Sequence, residues 1–200
     1  MSDDAALKQL IKDVRYLKDR QDILDCVNVY SRGLDRHDVE ILLKAYHADA
    51  VDEHGKAING MPEYPEWVNA MHASRTKMHN HNITTHNCEI DGDVAHAESY
   101  VLCGLALKDS NDVWLGCGRY IDRLERRDGV WKIAMRRTMM DWMFTADGGV
   151  FEEAWYKAEE YPEGTRDSSD ISYLRPLRLN GERQARAEAI SAEKRASAIK

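Results

Sequence analysis

The chain has 200 residues, 43% of them hydrophobic, enough for one domain with a core and a terminal extension. Its 28 Lys and Arg against 35 Asp and Glu leave a formal charge of -7, which argues against a protein that tracks phosphate backbones, so no nucleic acid is expected as a partner. Cys26, Cys88, Cys103 and Cys117 show no CxxC pair and no zinc or disulfide spacing. The polar, acidic start "MSDDAALKQLIKD" is neither a signal nor a transit peptide, and no run approaches the roughly 18 apolar residues of a membrane helix. These features predict a cytoplasmic protein with reduced thiols and no membrane association.

From the N-terminus, Leu7, Leu10, Ile11, Val14 and Leu17 recur at helical spacing, and Ile23, Val27, Tyr30 and Leu34 resume the pattern after a polar gap at 18–22. One bent helix or two consecutive helices are expected, loosened at Gly33. "RHDVEILLKAYH" predicts a further short helix with Asp38 near its N-cap. A short strand near 48–54 follows, then an amphipathic helix in "PEYPEWVNAMHASR".

From residue 77 the pattern alternates instead. Asp91-Gly92-Asp93 is hairpin chemistry, and "KDSND" and "ERRDGVW" supply two more turns. Four strands, 77–90, 93–107, 112–126 and 130–144, are expected in an antiparallel meander. Helices first and a curled antiparallel sheet second predict an α+β cone, with the helices in the concave face and a small-molecule pocket at the open end. This unit is expected to occupy residues 1–145. Residues 146–200 read as a partly irregular extension that closes in a weak, Ala-rich, charged helix. Phe151, Trp155, Tyr156, Tyr161 and Tyr173 carry too much aromatic surface for a free tail, and are expected to pack over the pocket mouth or on a neighbouring subunit.

"HNHNITTH" brings His79, His81 and His86 together. Residues two apart on a strand share a face, so His79 and His81 point one way and His86 the other, unless a bulge intervenes. A same-face His-x-His pair is half of a non-haem metal site, for which His96 and Glu98 on the next strand are the available complements. The helix-first layout does not resemble the barrels that hold such sites, and no metal is expected. Packing on a polar sheet face suits His79, His86 and His96. Asp35, just past Gly33, suits a cap or a turn as well as a functional role.

"YSRGLDRHD", "HNITTHNCEIDGDVAHAESY" and "GRYIDRLERRDGVWKIAMRRTMMDW" together resemble the SnoaL-like group of the NTF2-like superfamily, over about residues 7–145. That group includes dehydratases, a dehydrochlorinase and lignin-dimer γ-formaldehyde lyases. The resemblance implies an NTF2-like cone and a dyad of a helix-end Asp with a strand His. Asp35 matches the first by its place after "Y-x-x-G-L". His81 matches the second, with His79 or His86 as alternatives by a register shift. Tyr30 matches a tyrosine of the group, and Arg136 a basic position on the last strand, with Arg137 competing.

The residue types suit elimination. An imidazole is a usable base at neutral pH, and a carboxylate on its far nitrogen fixes the tautomer and stabilises the imidazolium. No Gly-rich phosphate loop, serine nucleophile elbow or cysteine-plus-base signature is present, so no cofactor is expected. Trp67, Met71, Tyr100, Trp114, Tyr120, Met139, Met140 and Trp142 are large and aromatic or flexible, and as a collection they predict a hydrophobic, ring-containing substrate of steroid, polyketide or lignin-diaryl type. The leaving group would be water, or formaldehyde from a hydroxymethyl arm, as in aromatic catabolism. The competing reading is a non-catalytic relative, either the small subunit of a ring-hydroxylating dioxygenase or a ligand-binding module. Neither needs the Asp35 and His81 pair. A homo-oligomer, trimer or dimer, is expected to cover the convex sheet face.

Overall fold

The computed structural model describes residues 3–198. The first helix, α1 (Asp3–Asp35), is a single element of 33 residues. The polar gap at 18–22 therefore does not break it. Lys18, Arg20 and Gln21 in that gap are good helix formers; what changes there is which side of the helix is apolar. Ile23, Cys26, Val27, Tyr30 and Leu34 are buried, whereas residues 3–18 are exposed throughout.

The helix ends in a Schellman turn. The N–H of Asp38 bonds the Gly33 carbonyl at 2.9 Å and that of His37 bonds the Leu34 carbonyl at 3.2 Å, with His37 in the left-handed region at φ 50°. Gly33 is required for another reason. A Cβ there would lie 2.5 Å from the Leu42 nitrogen on α2 (Val39–Lys44), so only glycine lets the two helices meet this closely. Asp38 then caps α2 by accepting from the Ile41 N–H at 2.9 Å.

After α2 come β1 (Tyr46–His54), β2 (Ala57–Gly60), α3 (Glu63–Arg75) and the long strands β3 (Thr76–Asp91), β4 (Val94–Leu107), β5 (Asp112–Arg127) and β6 (Val130–Asp147). The sheet order is β2-β1-β6-β5-β4-β3. The four-stranded meander is as expected, and the fold class is α+β. The sheet is mixed rather than wholly antiparallel, because β1 runs parallel to β6. Both strands start at one end, where the Ile133 N–H bonds the Ala45 carbonyl at 2.8 Å. Alternation in 46–54 reads the same in either direction, so the sequence pattern does not reveal this.

Paired residues on neighbouring strands share a face. Ala95, Ala97, Ser99, Val101, Cys103 and Leu105 of β4 are buried on the inner face, against the helices. The outer face carries Tyr100, Leu102, Met139, Trp142 and Phe144, all at least a third exposed. The extension adds α4 (Ala154–Lys157) and α5 (Gly181–Ala198). Its stretch 164–174 lies against the turn after α1. Tyr173 donates to Asp38 at 2.7 Å, Arg36 pairs with Asp170 at 3.4 Å, and Arg166 donates to the Thr76 carbonyl at 2.9 Å. Phe151, Trp155 and Tyr161 are exposed.

Candidate active site

The Schellman turn leaves Asp35 as the last residue of α1, aimed at β3. Its Oδ2 accepts the His81 backbone N–H at 3.0 Å and its Oδ1 lies 2.7 Å from His81 Nδ1. The carboxylate thus clamps both the strand and the ring. Ionised, it can only accept, so the proton sits on Nδ1 and the lone pair on Nε2. His81 is the histidine that meets Asp35 in this way. His79 Nε2 is 4.0 Å from Asp35 and donates instead to the Leu34 carbonyl at 3.1 Å. His86 reaches the inner face too, because a bulge falls between Ile83 and His86 and resets the alternation, but its Nδ1 bonds Ser99 Oγ at 2.8 Å.

Three more imidazoles, those of His72, His37 and His54, lie near this corner. The ring of His72, near the end of α3, lies 4.2 Å from that of His79 and 5.3 Å from that of His81; the ring of His37 lies 5.2 Å from that of His79. Burial pushes His72 down to about 2, and His79 and His54 to about 4; it lowers His37 as well. These rings are neutral at physiological pH. A proton gained by His81 therefore meets one adjacent charge, the Asp35 carboxylate, and no cationic neighbour among these rings.

Tyr30 and Arg136 belong to a second cluster, deeper on the inner face. Arg136 is fully buried and bidentate to Asp122, at 2.7 and 2.6 Å. Its guanidinium lies between the rings of Tyr30 and Tyr120, 4.1 and 4.0 Å from their centroids. The Tyr30 hydroxyl is 2.7 Å from that of Tyr64, and Tyr46 donates to Asp52 at 2.6 Å. Burial raises the Tyr30 hydroxyl well above its ordinary value and lifts Asp52 to about 6. The structure thus brings Tyr30 and Arg136 together, chiefly as each other's packing partners. Arg137 is exposed and pairs with Glu53.

The lining expected from composition divides by face. Trp67 and Met71 on α3 pack against the core, and Tyr120 is buried beneath Arg136. Trp114 pairs with Leu105, and Met140 with Gly118, on the inner face. Tyr100 and Trp142 are corrected to the outer face, together with Met139. Tyr100 pairs with Arg119, and the bulge at Cys117/Gly118 turns Trp142 outward beside Leu102 while Met143 takes the inner position. Sequence reasoning missed His54, His72, Asp52, Tyr64, Asp122 and Met143. For Asp52, His54 and Asp122 the available signal was polarity at inward positions of β1 and β5, which alternation marks; Tyr64 and His72 on α3 and Met143 on β6 carry no such signal.

Inner positions of β4 and β5 are small (Ala97, Ser99, Cys103, Gly116, Gly118), and the flexible side chains of Met140 and Met143 fill the space beside Gly116. A Cβ on Gly116 would come within 3.1 and 3.2 Å of the Met140 and Met143 methyls. Several buried polar atoms in this region have no protein partner: His72 Nε2, His54 Nδ1, His86 Nε2, Thr138 Oγ1 and Arg136 Nη1. Such atoms are costly unless something bonds them.

Asp35, His79 and His81 place ligand-type atoms within 4.8 Å of one another. Their hydrogen bonds account for that closeness. His81 Nδ1 donates to the carboxylate and His79 Nε2 to a carbonyl, so neither offers a lone pair to a metal there. His96 and Glu98, the other expected ligands, alternate onto the outer face, where Glu98 bonds Arg119.

A family model described as SnoaL-like domain matches residues 15–137. Among solved structures, a hexachlorocyclohexane dehydrochlorinase from Novosphingobium barchaimii is 27% identical, with a TM-score of 0.63 over 68% of this chain and 95% of that one. A second hexachlorocyclohexane dehydrochlorinase is 25% identical, with a TM-score of 0.63 over 68% and 94%. A protein from Novosphingobium aromaticivorans named for scytalone dehydratase is 19% identical, with a TM-score of 0.58 over 66% and 89%, a likeness of fold alone. Among curated proteins no sequence match is found. No helix of the described residues is long and apolar enough to cross a membrane.

Proposed function

The chain belongs to the SnoaL-like domain family, and from that premise we propose that it is a cofactor-independent lyase in which His81, held by Asp35, removes a proton while a small leaving group departs from a hydrophobic, hydroxylated, ring-containing substrate. The observation that carries this reading is the double bond from Asp35 to the His81 backbone and ring, at 3.0 and 2.7 Å. His81 Nε2 takes the proton from carbon or from a phenol. The electrons of that bond form the new double bond, and the leaving group departs with its own bonding pair. Asp35 stabilises the imidazolium, and base assistance of this kind is worth roughly 10² to 10⁴ in rate.

The unpartnered atoms of His54, His72 and Thr138 supply hydrogen bonds for a substrate hydroxyl. Trp67, Met71, Met140 and Met143 supply the apolar contact a ring system needs. Arg136 Nη1 is the part of that guanidinium left to meet a developing oxyanion. Hexachlorocyclohexane dehydrochlorinases among the similar structures support elimination as the reaction class. Water is the proposed leaving group, its oxygen taking the proton back from the His81 imidazolium as it departs; where the substrate carries a hydroxymethyl arm, His81 takes that arm's O–H proton instead, the O–H pair becomes the carbonyl bond of formaldehyde, and the C–C pair stays with the substrate to form the new double bond as the neighbouring hydroxyl leaves. The dyad tells against a non-catalytic binding module, which would not need an oriented imidazole. We also propose that the exposed apolar residues of the outer face are covered in a homo-oligomer.

The test is product analysis by mass after incubating chelator-treated protein with hydroxylated steroids, polyketides and diaryl diols. Wild type is expected to release water or formaldehyde from one of them, and His81→Ala to lose that activity by about 10²-fold or more. Equal turnover by the variant would overturn the assignment of His81.

A further inference from the structure

The N-terminal half of α1 is a surface without a partner in its own fold. Leu7, Leu10, Ile11, Val14 and Leu17 are 55–64% exposed. At about 100° per residue their stripe lies roughly half a turn around the helix from Ile23, Cys26, Val27, Tyr30 and Leu34, which pack on the core. One straight helix thus presents two apolar faces in succession, pointing in opposite directions. No rotation of α1 buries both against the same sheet. A helix of about 15 residues with an unpaired stripe is marginal in water.

We propose that this stripe is the interface with a second copy of the chain, in an antiparallel pair of helices about a two-fold axis between Leu10 and Ile11. The charge pattern selects this arrangement. Asp3 and Asp4 open the helix, while Arg15 and Lys18 stand at the far end of the stripe. With Leu10 facing Ile11 of the second copy, Leu7 faces Val14 and Asp3 faces Lys18, and the two-fold axis repeats each contact. Parallel pairing would instead set Asp3 against Asp3 and Lys18 against Lys18. Lys8 and Lys18 now bond Asp4 and Asp22 on their own helix; such exposed pairs are worth little and yield readily. The family match begins at residue 15, so most of the stripe lies outside the matched region.

Disulfide trapping in the full chain tests both the interface and its direction. The double variant Leu7→Cys with Val14→Cys is expected to form covalent dimers under mild oxidation. Neither single variant should, because in the antiparallel pair each position is about 10 Å from its own copy. Leu10→Glu, on an exposed face away from the core, should halve the mass of the assembly measured by sedimentation, with turnover and melting temperature retained. Crosslinking by either single variant, an unchanged mass for Leu10→Glu, or an N-terminal helix that binds anionic phospholipid vesicles while the protein alone stays monomeric would each overturn the proposal.

Discussion

Two polar clusters share the inner face of the sheet, and they use similar residues to different ends. At one, Asp35 meets His81 at the end of a helix, both partly accessible, with one imidazole nitrogen left free. At the other, Asp122 meets Arg136 with neither exposed, and tyrosine rings close over the guanidinium. The first pair is incomplete and can accept a proton. The second is close to complete, and its charges hold β5 and β6 together. Burial and the count of unfilled bonds, more than residue type, separate the chemical pair from the structural one.

That contrast can be broken most sharply at Asp122. Asp122→Ala strands a fully buried guanidinium and is expected to cost about 3–5 kcal/mol, a fall in melting temperature of roughly 6 °C or more in a chain of this size. A melt within a degree or two of wild type would remove the structural role. Acidification comes next. His54 and His79 titrate at about 4 and His72 at about 2 in the folded state, below the ordinary histidine value of about 6.5, so the unfolded chain binds more protons over that interval. Stability should fall as pH drops from about 6.5 to 4. Asp52, raised to about 6, works the other way and offsets part of this, since its proton is held more tightly in the folded state. Denaturant titrations at pH 7 and pH 4.5 check the sign; equal midpoints would mean the rings are not buried neutral. The smallest effect is at Tyr30. Tyr30→Phe removes the bond to Tyr64 and should cost about 1 kcal/mol, with turnover lowered several-fold at most. A loss of 10²-fold or more would move Tyr30 into the chemistry as a proton donor.

Much of this was legible in the chain. The long strands followed from alternation and turn residues, and the pairing of Asp35 with His81 from the resemblance to the SnoaL-like group, which left His79 and His86 as alternatives. Three features were not. The bulge at Ile83/His86 carries no turn residue, and the one at Cys117/Gly118 is marked only by Gly118 within a strand pattern; the two decide that His86 faces inward and Trp142 outward. The parallel pairing of β1 with β6 is a tertiary choice, and it brings Asp52 opposite Arg136. His72 sits at the end of an amphipathic helix where a histidine reads as a polar terminus; its closeness to His81 exists only once α3 is docked on β3.

The most direct measurement is turnover and melting temperature, side by side, for Asp35→Asn. The amide keeps the size of the side chain but can no longer stabilise an imidazolium. The account predicts turnover lowered by about 10² to 10⁴ with the melt close to wild type. Retained turnover, or a collapse of the melt comparable to that of Asp122→Ala, would contradict it.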